Sequence, residues 1–143
     1  MKSRSLIITI AVVTASLFLA VGLYAAAAPE IMPLNDARYK KHTKGIVQFT
    51  HKKHAQDYKA KCGECHHDDA GKPLELKEGD PVQKCGACHS EFGKRAKADK
   101  KMKKAAKIKK YHKEALHANC KACHKKAKKG PTKCKDCHPK KKK

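Results

Sequence analysis

Cys62-Gly63-Glu64-Cys65-His66-His67 decides the reading of this chain. Its first five residues spell Cys-x-x-Cys-His, and the pattern returns at Cys85 to His89, Cys120 to His124 and Cys134 to His138, so the four copies consume all eight cysteines. In such a motif two thiols add to the vinyl groups of a haem, and the next histidine ligates the iron from the same short turn. Four covalently attached haem c groups are therefore expected, on Cys62/Cys65, Cys85/Cys88, Cys120/Cys123 and Cys134/Cys137. His66, His89, His124 and His138 are their proximal iron ligands. The motifs recur with 18, 30 and 9 residues between one His and the next Cys. The repeated unit is thus a haem site, not a supersecondary element.

Two other uses of the cysteines compete. Cys65 and Cys85 are separated by 19 residues, a spacing at which Cys-x-x-Cys pairs hold tetrahedral zinc. A zinc ribbon, however, has no need of a histidine after every pair. Four disulfides would suit an exported protein, but they too leave the histidines unexplained.

Six histidines lie outside the motifs: His42, His51, His54, His67, His112 and His117. If every iron is held by two imidazoles, four of the six are ligands and two are spare. His51 and His54 are three apart, so on a helical turn both project from one side and reach two different haems. His67 follows His66 directly, and neighbours on a helical turn diverge by about 100°, which sends the second imidazole to another porphyrin. Met1, Met32 and Met102 offer the other common sixth ligand. Met1 leaves with an N-terminal leader, and Met32 and Met102 suit the filling of apolar gaps better.

Residues 1–27 read as that leader, a signal peptide. Lys2 and Arg4 form a cationic head, Leu6 to Leu23 is an uncharged apolar run, and small residues follow at Ala25 to Ala28. An uncleaved anchor is the rival, since 18 apolar residues just span a bilayer. The alanine run and the immediate switch to polar chain favour cleavage, leaving no stable membrane insertion and a periplasmic product. From Ala28 onward there are only 13 Val, Ile, Leu, Met and Phe residues beside 33 Lys plus Arg and 13 Asp plus Glu. Such a composition normally marks a disordered chain. Four porphyrins change the balance by supplying the apolar interior themselves.

The formal charge is +22, or +20 without Lys2 and Arg4. Eight haem propionates would lower it to about +12. Only Arg4, Arg38 and Arg95 are arginine, so flexible lysines carry the charge and suit diffuse docking on acidic partners. Nucleic-acid binding is disfavoured by export, by the few arginines and by the lack of tryptophan.

The fold class expected is a small multihaem cytochrome c: loops and short helices wrapped around four haems, a short N-terminal β-hairpin and little regular structure. After the signal come an arm over 28–44, the haem domain over 45–138 and a disordered lysine-rich tail over 139–143. Ile46 to Phe49 is a strand candidate pairing back on the arm. Thr50 is a candidate N-cap for a helical turn over His51 to Tyr58. Asp68 to Lys84 reads as loop, Glu91 to Leu116 as the one candidate for a longer helix, and Gly130-Pro131 as a break.

On these residues the chain resembles the class III tetrahaem cytochromes c, the cytochrome c3 family of sulfate-reducing bacteria. The likeness rests on Val47-Gln48-Phe49-Thr50-His51-Lys52-Lys53-His54, then on Cys62-Gly63-Glu64-Cys65-His66-His67, then on the three later motifs in order. The segment Lys128-Lys129-Gly130-Pro131-Thr132-Lys133-Cys134 is similar to the trihaem cytochrome c7 relatives. Many family members carry four residues between the cysteines of the second and fourth motifs, whereas all four spacings here are two. The resemblance implies axial pairs His51/His66, His67/His89, His54/His124 and His117/His138. His112 competes with His117 for the last place, and His117 is preferred because it lies three residues before Cys120, as in the trihaem relatives. His42 is left as a non-ligand. The resemblance further implies a low-potential periplasmic electron carrier, not an enzyme, active in sulfate respiration. Its implied partners are hydrogenase, formate dehydrogenase and membrane-bound cytochrome complexes. A carrier for extracellular metal reduction, or a small multihaem reductase with one open haem, are the alternatives.

Overall fold

The computed structural model describes residues 28–140. The leader expected over 1–27 and the last residues of the tail, 141–143, lie outside them. The arm turns at Pro33 and Asn35, where the Asn35 N–H bonds the Pro33 carbonyl at 2.9 Å. Strand β1, Met32–Pro33, pairs antiparallel with β2, Gln48–Phe49, in the register Met32 to Phe49 and Pro33 to Gln48. A proline in β1 limits pairing, since it donates nothing to a ladder, and the hairpin is two residues deep.

Helix α1 spans His51–Gln56, two residues short of the turn expected to Tyr58. Thr50 precedes it, but its side chain makes no cap. Instead its carbonyl accepts from both the backbone and the ring of His54, at 3.1 and 2.8 Å. The segment 68–84 is loop apart from one antiparallel bridge between His67 and Pro73.

The single helix expected over Glu91 to Leu116 does not form. The chain runs irregularly to a 3-10 turn at Ala98–Lys101, then forms helix α2, Lys104–Lys110, breaks at Tyr111, and restarts as α3, His112–Ala127. Tyr111 takes an extended φ/ψ of −101°/119°, and the chain on either side of it pairs with Glu91. The Glu91 N–H bonds the Lys110 carbonyl at 3.1 Å, and the His112 N–H bonds the Glu91 carbonyl at 3.0 Å. The Tyr111 hydroxyl donates to Asp99 at 2.7 Å and accepts from the Ala96 N–H at 3.0 Å. A tertiary anchor therefore overrides helix propensity, which is a weak prior. At its far end α3 is stopped by Lys128 in the left-handed conformation, and α4, Cys134–Cys137, is a single turn.

Tyr111 is the one buried hydrophobic residue among those described, and no side chain among them is fully buried. His89 and His112 are the buried polar residues. The polypeptide brings almost no apolar core of its own. Among the described residues no helix is long and apolar enough to cross a membrane.

Candidate functional site

Each motif is held in a tight turn, but by three different devices. Cys62–Glu64 and Cys85–Ala87 are 3-10 turns, Cys120 to His124 is embedded in α3, and Cys134–Cys137 is α4 itself. In the first, second and fourth motifs the N–H of the motif histidine bonds the carbonyl of the first cysteine, at 2.8 to 2.9 Å. None of the eight cysteines is joined in a disulfide. Burial raises the pKa of Cys65, Cys85, Cys120 and Cys137, so these sulfurs are neutral at ordinary pH. Cys65 and Cys120 each feel the thiols of other motifs, so the attachment turns converge.

The imidazoles face one another in pairs. Ring centres lie 6.4 Å apart for His51 and His66, 5.8 Å for His67 and His89, 6.1 Å for His54 and His124, and 6.1 Å for His117 and His138. Every pair joins one motif histidine to one histidine outside the motifs. These rings are too far apart to stack closely. With a metal–nitrogen bond of about 2 Å on each side, one metal atom seated between two rings sets their centres ~6 Å apart. The residues thus fit an iron clamped by two imidazoles. By contrast, no three His, Cys, Asp or Glu side chains among the described residues converge as metal ligands, whereas structural zinc needs four donors around one point.

A ring that bonds a metal through Nε2 is oriented by what its Nδ1–H donates to. Six of the eight paired histidines have a backbone carbonyl there. His54 meets Thr50 at 2.8 Å, His67 meets Asp68 at 2.6 Å, and His89 meets Lys109 at 3.0 Å. His117 meets Lys113 at 2.8 Å, His124 meets Pro131 at 2.7 Å, and His138 meets Gly45 at 2.8 Å. Each such contact fixes the tautomer with Nε2 as the open acceptor. His66 is held below its ordinary pKa by burial first, and then by the nearby imidazoles of His51 and His67.

His51 and His54 sit on α1 with the Phe49 ring 6.0 and 4.6 Å away, and face different partners. The divergence of His66 and His67 has a cause other than the helical one expected. His67 lies in the bridge to Pro73, and successive side chains of extended backbone point to opposite faces.

His112 is built into a separate cluster. Its Nδ1 lies 3.0 Å from the Tyr39 hydroxyl, and its ring stacks on Phe92 at 4.8 Å. Arg38 covers the other part of Phe92 at 4.2 Å, is chelated by Asp36, and donates to the Gly86 carbonyl inside the second motif at 2.8 Å. The guanidinium holds the Asp36 carboxyl far below the usual carboxylate range. Burial lowers the pKa of His112. His42 packs on Tyr39 at 5.2 Å.

Sequence reasoning missed the carbonyls of Gly45, Lys109 and Pro131, because a backbone acceptor leaves no residue signature. Two glycines were the available signal. A Cβ on Gly130, whose φ is +82°, would meet the His124 ring at 2.8 Å, and one on Gly45 would collide with the Pro139 carbonyl.

No curated protein matches the chain. A family model described as the class III cytochrome C family matches residues 28–141, a span that holds all four motifs and all four imidazole pairs. The chain belongs to the class III cytochrome c family, whose members are multihaem electron-transfer proteins carrying covalently bound haem c.

Proposed function

We propose that the chain is a periplasmic, low-potential electron carrier with four bis-histidine haems, exported by a signal peptide over residues 1–27. The observation that carries this reading is the set of four facing imidazole pairs at 5.8 to 6.4 Å. Bound haem would supply a one-electron iron couple at each pair of facing imidazoles, chemistry that suits electron transfer. The chain's residues do the rest. Cys62, Cys65, Cys85, Cys88, Cys120, Cys123, Cys134 and Cys137 tether four porphyrins, and His51/His66, His67/His89, His54/His124 and His117/His138 hold the irons. The Nδ1–H contacts to carbonyls make the imidazoles stronger donors, and the lack of a methionine in any pair points to low potentials. Lys128 to Cys134, which closes over His124, gives the C-terminal part its likeness to the trihaem c7 relatives.

The partners in this reading are acidic redox proteins, such as hydrogenase or formate dehydrogenase on one side and membrane cytochrome complexes on the other. The lysine-rich surface steers their encounter, an effect worth roughly 10- to 1,000-fold in association rate and reduced by salt. Two measurements test the proposal. The exported protein should have the mass of a chain lacking the leader plus four haems; an unmodified mass contradicts it. Its reduction by hydrogenase under hydrogen should slow steeply between low and physiological salt, and a salt-independent rate removes the docking mechanism.

A further inference from the structure

The N-terminal arm reaches into the second motif. Within that turn the carbonyls of Lys84, Cys85 and Cys88 accept backbone N–H groups of residues 87–90. The Gly86 carbonyl, between the two cysteines, instead accepts from Arg38 Nη1 at 2.8 Å, across 48 residues. Gly86 is buried, so a carbonyl left without a donor there would be costly. A Cβ on Gly86 would collide with the Arg38 guanidinium and meet the Phe92 ring at 2.8 Å. The cation therefore lies directly against the turn that carries Cys85, Cys88 and His89.

Three further contacts hold the guanidinium in one place. Its Nε donates to Asp36 Oδ1 at 2.8 Å and its Nη2 to Asp36 Oδ2 at 2.6 Å, a bidentate grip that restricts the planar fork. Phe92, three residues after His89, packs against it at 4.2 Å and stacks in turn on the buried His112. The atoms closest to the Cβ position on Gly86 belong to the guanidinium and to Phe92, not to the carboxylate. The ion pair thus presents its positive member to the turn.

We infer, on the proposed four-haem reading, that Arg38 is a positioning residue of the second haem site, which pins the Cys85 to His89 turn and sets positive charge beside it, making the haem attached there easier to reduce. When a redox partner delivers one electron to that haem, a fixed cation nearby favours the form that carries the extra charge. Asp36 neutralises part of this effect. Loss of Arg38 therefore acts twice, removing the cation and leaving the carboxylate unopposed.

Potentiometric titration of the exported holoprotein at fixed pH and ionic strength, followed by the nuclear magnetic resonance signals of the individual haems, tests this. The second haem is identified by contacts of its thioether groups with Cys85 and Cys88. Arg38→Gln should lower its midpoint potential more than that of the other three haems, and Asp36→Asn should raise it. If Arg38→Gln fails to retain four haems, the rise in Asp36→Asn carries the test, because that variant keeps the cation. Four attached haems with no shift in the second, shifts of one sign in both variants, or a larger shift at another haem would overturn the role of Arg38 and leave the four-haem reading standing. An exported chain of unmodified mass would overturn both.

Discussion

At His124, ring orientation depends on a neighbour where any side chain would be strained and would press on the ring. Lys128 and Gly130 both adopt positive φ, the chain reverses, and Pro131 presents its carbonyl to His124 Nδ1 at 2.7 Å. Gly130→Ala meets a strained backbone and the imidazole itself; we expect a loss of about 1–3 kcal/mol, read as a lower melting temperature, with a shift in the potential of one haem only. His112 and His117 separate in the same way. His117 faces His138, whereas His112 is buried against Phe92 and Tyr39. His117→Ala should turn one haem high-spin. His112→Ala should leave all four spectra unchanged while destabilising the fold by roughly 1–3 kcal/mol. If only His112→Ala altered a haem spectrum, the ligand assignment would be reversed. The motif cysteines and histidines proposed to hold haem were legible because thiol attachment is local chemistry written in five residues. The carbonyls that orient the rings were not, because any residue type supplies one.

At the scale of elements, the break between α2 and α3 is where pattern and structure part. The apolar stripe over Glu91 to Leu116 carried no sign that Tyr111 would be pulled out of the helix by Glu91, Ala96 and Asp99, contacts 12 to 20 residues away. Tyr111→Phe should loosen the Ala98–Lys101 turn and lower the melting temperature. The same cluster sets a pH dependence. Asp99 is held below its ordinary pKa by hydrogen bonds from Lys110 and then Tyr111, and Asp36 is held low by Arg38. Both folded-state values lie below the unfolded ones, so their stabilisation is complete above the ordinary carboxylate range near pH 4 and drains away as pH falls through the depressed values. Acid unfolding should be shallower in Asp99→Asn and Asp36→Asn than in the parent. An identical acid limb in both variants would mean that these carboxylates do not set the acid limit. The short hairpin and the start of α1 followed the pattern more closely, although the Thr50 side chain makes no cap.

For the molecule as a whole, stability is the unusual quantity. A chain of this composition that buries a single hydrophobic residue among those described has too little apolar surface to offset conformational entropy. In the proposed reading the attached haems supply the interior. Haem-free chain, made by replacing all eight cysteines, should show no cooperative thermal transition, and a sharp transition would mean that the polypeptide folds alone. On that reading little regular structure is needed, because the turns, loops and one long helix would serve to place four pairs of rings.

The ring pairs also differ in twist. His51/His66 and His67/His89 cross at 68° and 71°, whereas His54/His124 and His117/His138 lie at 33° and 39°. Crossed imidazole planes leave two iron orbitals nearly degenerate, while planes closer to parallel split them, and the two arrangements give distinct low-spin signals. Low-temperature electron paramagnetic resonance of the oxidised, exported protein is therefore the most direct test. Four low-spin irons are predicted, two of strongly anisotropic type and two rhombic. A high-spin signal from any iron, or fewer than four haem signals, would contradict the clamp of paired imidazoles.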